Sequence, residues 1–149
     1  IGTLAAVLIL SFMQLVFFPI FEKFVAFDQV DIGLYSFIKE NIAQYLFIVV
    51  MGWVVGGVYE EIVFHGFIFT RLEKMTPSRH ATKISFVLAG LIFGVYHYQL
   101  GMAGMINATI VGIVYLGLYV YFKRNLWYSI ICHGVYNSIV MTLIYLELL

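Results

Sequence analysis

Long apolar runs alternate with short polar interruptions along this chain, and most of the runs are long enough to span a bilayer. Residues 1–21 carry no charge, and about 20 apolar residues suffice for a membrane-crossing helix. Pro19 is expected to end or kink that span. A signal peptide would show a basic start and a small-residue cleavage site, and neither is present. In 22–40, Asp31 can N-cap a short helix. Leu34, Phe37, Ile38, Ile42 and Tyr45 recur at helical spacing, which predicts an interfacial helix leading into the next span. Further spans are expected at 41–70, 84–98, 100–122 and 126–149. The runs lack the strict alternation of barrel strands. The expected fold is therefore an all-α membrane protein: a bundle of about five transmembrane helices with a short interfacial helix. Residues 1–40 form its N-terminal transmembrane helix and interfacial segment, and 41–149 its main helix bundle. The chain opens on Ile1 and not Met, so it is expected to be the core of a larger multi-span protein.

Composition supports this class and excludes others. Hydrophobic residues make up 63% of the 149 and charged residues 11%, against roughly 25% charged in soluble domains. Mean hydropathy is +1.00. A soluble chain of this size could not hide so much apolar surface. Eight Lys and Arg cancel eight Asp and Glu, leaving no basic field to attract nucleic acid. One cysteine, Cys132, excludes an internal disulfide.

The charges that remain fix an expected orientation. Arg71, Lys74, Arg79 and Lys83 fall between spans two and three, and Lys123 and Arg124 between four and five. The loops at 71–83 and 123–124 are therefore expected to be cytoplasmic. Residues 22–40 carry Glu22, Asp28, Asp31 and Glu40 against Lys23 and Lys39. They are expected on the outer face, together with 98–104.

Five ionisable residues lie inside the expected spans: Glu60, Glu61, His65, His97 and His133. A charge at the bilayer centre costs at least ~2.5–3.5 kcal/mol, so such residues are expected to face one another. At about 1.5 Å per residue, Glu60 lies ~16 Å in from Arg71, His97 ~21 Å in from Lys83, and His133 ~13 Å in from Arg124. Asn137 comes to ~20 Å, and His65 to ~9 Å. Three helices thus bring polar groups to one slab. Glu61 and His65, and likewise His133 and Asn137, are i,i+4 neighbours on one helix face. Gly52 and Gly56, and Gly90 and Gly94, have the small-xxx-small spacing of close helix packing.

These residues form three ordered motifs: Glu60-Glu61-x-x-x-His65, Phe93-x-x-x-His97 and His133-x-x-x-Asn137. Together they resemble the EExxxR, FxxxH and HxxxN pattern of the CPBP (Abi) family of intramembrane glutamic endopeptidases. That family includes the CAAX prenyl proteases and bacteriocin-processing proteins. The motifs span about half of the chain. One position departs, since His65 stands where the pattern has Arg. Arginine is always charged and grips a carboxylate with two donors. Histidine pairs only when protonated, through one nitrogen at a time.

The resemblance implies a metal-independent endopeptidase in which Glu60 activates water and His97 orients it. His133 and Asn137 would stabilise the oxyanion, Glu61 would pair with His65, and Phe93 would pack the site. It implies no cofactor and no metal. It implies a peptide or membrane-associated protein substrate, and a multi-pass location, a bacterial plasma membrane in first place. Oligomeric state is not readable.

Other chemistries lack their residues. There is no HExxH and no serine in a nucleophile elbow. The only aspartates, Asp28 and Asp31, fall in a loop. Cys132 and His133 point about 100° apart on a helix, so Cys132 reads as apolar filler. Three readings stay open beside the protease. The cluster could glue helices, serve as the proton relay of a transporter, or bind zinc through Glu60, His97 and His133.

Overall fold

The computed structural model describes residues 1–25 and 30–149, so the expected loop position of Asp28 falls outside the described residues. Five helices carry the fold: α1 (Gly2–Phe21), α2 (Ile42–Met75), α3 (Ala81–Tyr96), α4 (Gly101–Tyr121) and α5 (Trp127–Tyr145). All regular structure among the described residues is helical. Four stretches, Gly2–Phe21, Ile42–Met75, Tyr98–Tyr121 and Trp127–Tyr145, are long and apolar enough to cross a membrane. Large apolar side chains such as Leu4, Leu8, Leu15, Phe47 and Leu91 point outward. An outward apolar surface of this extent belongs in lipid and not in water. The chain is an integral membrane protein.

The expected third span is the one that falls short. The helix α3 has 16 residues, about 24 Å at the helical rise, against a hydrocarbon core of about 30 Å. It stops at Tyr96, and His97 leaves helical geometry (φ −93°, ψ 24°). A 3₁₀ turn over Tyr98–Leu100 and Gly101 at φ +73° then turn the chain into α4. The bundle is thus four long spans and one shorter apolar helix.

Two helices are locally widened. In α1, Met13–Phe17 winds as a π-helix, with the Phe18 N–H donating to the Met13 carbonyl five residues back. Carbonyls in such a turn bond five residues on. The helix runs past Pro19 and ends two residues later, at Phe21. In α2, Gly52–Ile68 is also π-wound, and it carries Glu60, Glu61 and His65. The extra residues per turn shorten the axial advance, so Glu60 sits nearer Arg71 than a regular α-helix would put it.

Caps and short contacts set the ends. The Asn41 side chain accepts from the Gln44 N–H at 3.1 Å and starts α2. Asp31 accepts from the Gly33 N–H at 2.9 Å. The helix it introduces, Gly33–Ile38, is a 3₁₀-helix with Ile32 at its cap position. The Asp31 N–H donates to the Leu100 carbonyl at 3.1 Å, which joins this segment to the α3–α4 turn. At the opposite end Arg124 donates to Glu73 at 2.7 Å. The two basic loops therefore lie side by side.

Close packing depends on glycine at specific positions. The helix α3 packs chiefly on α4, and α5 on α2 and α1. A Cβ at Gly94 would collide with Thr109 and lie 2.8 Å from the Met105 carbonyl oxygen. A Cβ at Gly134 would enter the Trp53 ring. At Gly117, by contrast, the nearest atom would be 3.8 Å away, on Phe86. Gly94→Leu should therefore lower stability by about 1–3 kcal/mol through overpacking. Gly117→Ala should be neutral or gain up to about 1 kcal/mol of helix propensity. Thermal unfolding of the two variants in detergent reads the difference.

Candidate active site

All five intramembrane ionisable residues converge, and the centre of the group is Glu61. Its carboxylate is fully buried and splits its two oxygens between two histidines. The His65 Nδ1 lies 2.6 Å from Oε2, and the His133 Nδ1 lies 2.9 Å from Oε1. An ionised carboxylate only accepts hydrogen bonds, so each imidazole presents its Nδ1–H to it. His65 comes from the same π-wound stretch of α2, whereas His133 comes from α5, 72 positions on. His65, where the resemblance would place arginine, engages one oxygen and leaves the other for His133.

Glu60 faces the other way. Its Oε2 is buried with no hydrogen-bond partner among the described residues. It sits 3.9 Å from the His97 Nε2 and 3.9 Å from the His133 Nε2. Both gaps exceed a direct hydrogen bond. His97 reaches this point from the broken end of α3. Its Nδ1–H donates to the Phe93 carbonyl at 2.8 Å, which leaves Nε2 directed at Glu60. The break after Tyr96 thus places His97 at a helix end and not within a span.

Asn137 lies one turn beyond His133 on α5, and its Nδ2–H donates to the Gly52 carbonyl at 3.2 Å. One amide hydrogen remains. Gly56 makes this approach feasible, because a Cβ there would strike the Asn137 amide and lie 3.2 Å from the His133 Nε2. The Gly52 and Gly56 pair therefore serves both helix packing and the site. Two further bonds tie α2 to α5: Trp53 Nε1–H to Ser138 at 2.9 Å, and Tyr45 with Thr142 at 2.9 Å.

The Phe93 ring wedges between the imidazoles, with centroids 4.7 Å from His97, 5.5 Å from His65 and 5.9 Å from His133. Tyr115 of α4 is a member that sequence reading missed. Its ring stacks on His133, with centroids 4.5 Å apart and planes 24° apart. A tyrosine inside an apolar run carries no spacing signal that would have singled it out. Cys132, next to His133, is fully buried in the core formed by α1, α4 and α5.

A cavity of about 600 Å³ opens onto Glu60, His97, His133 and Asn137 and extends toward Glu22, Tyr35 and Gln99. The volume is in the range of ligand-binding clefts. Among the described residues, no group of three or more His, Cys, Asp or Glu side chains is arranged to hold a metal ion.

The family model described as type II CAAX prenyl endopeptidase Rce1-like matches residues 42–139, which contain all three motifs. No curated protein and no solved structure matches the chain significantly.

The geometry separates the two glutamates. Glu61→Leu strands two buried imidazole donors and should cost about 1–3 kcal/mol for each. Glu60→Gln breaks no hydrogen bond among the described residues and should leave stability within about 0.5 kcal/mol. Melting temperatures in the same detergent test this ordering. Equal losses would show that Glu61 does not organise the site.

Proposed function

This chain belongs to the Rce1-like family of type II CAAX prenyl endopeptidases and is a membrane-embedded protease, and from that premise we propose that it cleaves peptide bonds with a water activated by Glu60. The observation that carries this reading is the pair of 3.9 Å gaps from Glu60 Oε2 to the two imidazole Nε2 atoms. One water spans such a gap. Glu60 takes a proton from that water as the oxygen attacks the scissile carbonyl carbon. His97, held by Phe93, accepts a hydrogen bond from the same water and aligns it.

The carbonyl oxygen becomes an oxyanion as the C–O bond forms. Asn137 offers its remaining amide hydrogen to it, and His133 offers Nε2–H in the imidazolium form that Glu61 supports from Nδ1. Collapse of the tetrahedral intermediate breaks the C–N bond, and Glu60 returns its proton to the departing amine. Glu61, His65, Phe93 and Tyr115 do not touch the reacting atoms in this scheme; they hold the rings that do. Residues 41–149 form the catalytic bundle, with 1–40 covering one side. The loops 71–83 and 123–124 are assigned to the cytoplasm by their charge.

Glu60→Gln, His97→Ala and His133→Ala should each reduce cleavage of a quenched peptide library by at least about 10²-fold. Asn137→Ala should cost about 10²–10³-fold in kcat, as loss of one oxyanion donor does. Activity should persist in chelator. Chelator-sensitive cleavage would favour a zinc site, and ion flux in proteoliposomes without cleavage would favour a transporter. Wild-type rates in Glu60→Gln would end the glutamic reading.

A further inference from the structure

The cavity carries an amide that the mechanism does not use. Asn107 of α4 lines the same space as Glu60 and His133 and is partly buried. A polar side chain inside a membrane span is costly, faces the bundle interior or a water-filled space, and marks a ligand path by default. One fixed partner holds Asn107: the Tyr136 O–H donates to its Oδ1 at 3.2 Å. Tyr136 is itself buried, on α5 between His133 and Asn137, and also lines the cavity. A carboxamide offers one acceptor oxygen and two donor hydrogens. With the oxygen engaged by Tyr136, both N–H donors remain, and nothing among the described residues accepts them. The other amides of the lining differ. Gln14 and Gln99 are exposed, and Asn137 is bonded to the Gly52 carbonyl.

The place of Asn107 along α4 sets what it can reach. Tyr115, whose ring stacks on His133, stands eight positions further along the same helix, an axial distance of about 12 Å. An extended chain covers about 12 Å in three or four residues. A peptide lying along α4 with its scissile bond beside His133 thus brings a group three or four residues from that bond level with Asn107. The oxygens of such a group only accept hydrogen bonds, and no Lys or Arg lines the cavity among the described residues to compete for them.

We propose that Asn107, oriented by Tyr136, is a substrate-binding residue that donates its amide hydrogens to a carbonyl or carboxylate oxygen of the peptide three or four residues from the scissile bond. The inference rests on the proteolytic reading above and adds a binding contact to that site.

The test uses the full chain in detergent and two quenched fluorescent peptides of identical sequence. Both end three residues past the scissile bond, one in a carboxylate and the other in an amide. Asn107→Asp keeps an acceptor for Tyr136 and removes both donors. Loss of a contact made equally in ground and transition states raises KM and leaves kcat unchanged. KM should rise roughly 3–10-fold on both peptides if the partner is a backbone carbonyl. It should rise roughly 10–100-fold, and chiefly on the carboxylate form, if the partner is the terminal carboxylate. Tyr136→Phe frees the amide to turn and should raise KM by itself but add nothing to Asn107→Asp. It removes a single hydroxyl, so it carries the test if the aspartate variant fails to fold. An unchanged KM, or a fall in kcat at constant KM, overturns the inference and leaves the protease reading intact. A lower melting temperature with unchanged kinetics overturns it too, and marks the Asn107–Tyr136 bond as helix packing only. If neither peptide is cleaved in a manner abolished by Glu60→Gln, the proposed function fails and this inference with it.

Discussion

One buried carboxylate organises this molecule. Glu61 is fully enclosed, and moving an ion out of water costs several kcal/mol unless it is paired and hydrogen-bonded. The fold meets that demand with two imidazole N–H groups from two helices. The bond to His65 is local to α2, but the bond to His133 fixes the angle and depth of α5 against α2. It also decides which nitrogen of His133 faces the cavity. A single acceptor thus couples tertiary packing to the orientation of the ring beside Glu60.

The surrounding architecture serves that coupling by letting helices approach. Gly52, Gly56 and Gly134 remove side chains along the α2–α5 seam, which in a membrane is how backbones gain contact without a hydrophobic driving force. The Tyr115 and Phe93 rings then confine the imidazoles from α4 and α3. Hydrogen bonds from Trp53 and Tyr45 continue the seam toward the far end of α5. Burial, hydrogen bonding and aromatic contact converge on the same two side chains, Glu61 and His133.

Much of this was legible in the sequence. Apolar run length located α1, α2, α4 and α5, and Asn41 marked the start of α2. The three motifs named the residues that meet at the cavity, and the shared depth of Glu60, His97 and His133 anticipated their convergence. What escaped has a common physical origin. Periodicity describes one helix at a time, so it linked Glu61 to His65 but could not see His133 reaching the same carboxylate across a helix seam. Tyr115 was hidden because its partner lies on another helix. The early end of α3 was hidden because no helix breaker precedes Gly101; the chain leaves helical geometry at His97, whose ring bonds back to the Phe93 carbonyl. Pro19 lies two residues before the end of α1 at Phe21.

The shortness of α3 has a consequence for the site. A helix about 24 Å long, placed in a core of about 30 Å, creates hydrophobic mismatch. A stretch this short is accommodated by bilayer thinning, snorkelling flanking residues or association with other helices, each at fractions of a kcal/mol per Å. The short end of α3 is the one that carries His97 and, just beyond it, Gln99. The missing turn of helix is thus also what sets His97 at a helix end facing Glu60.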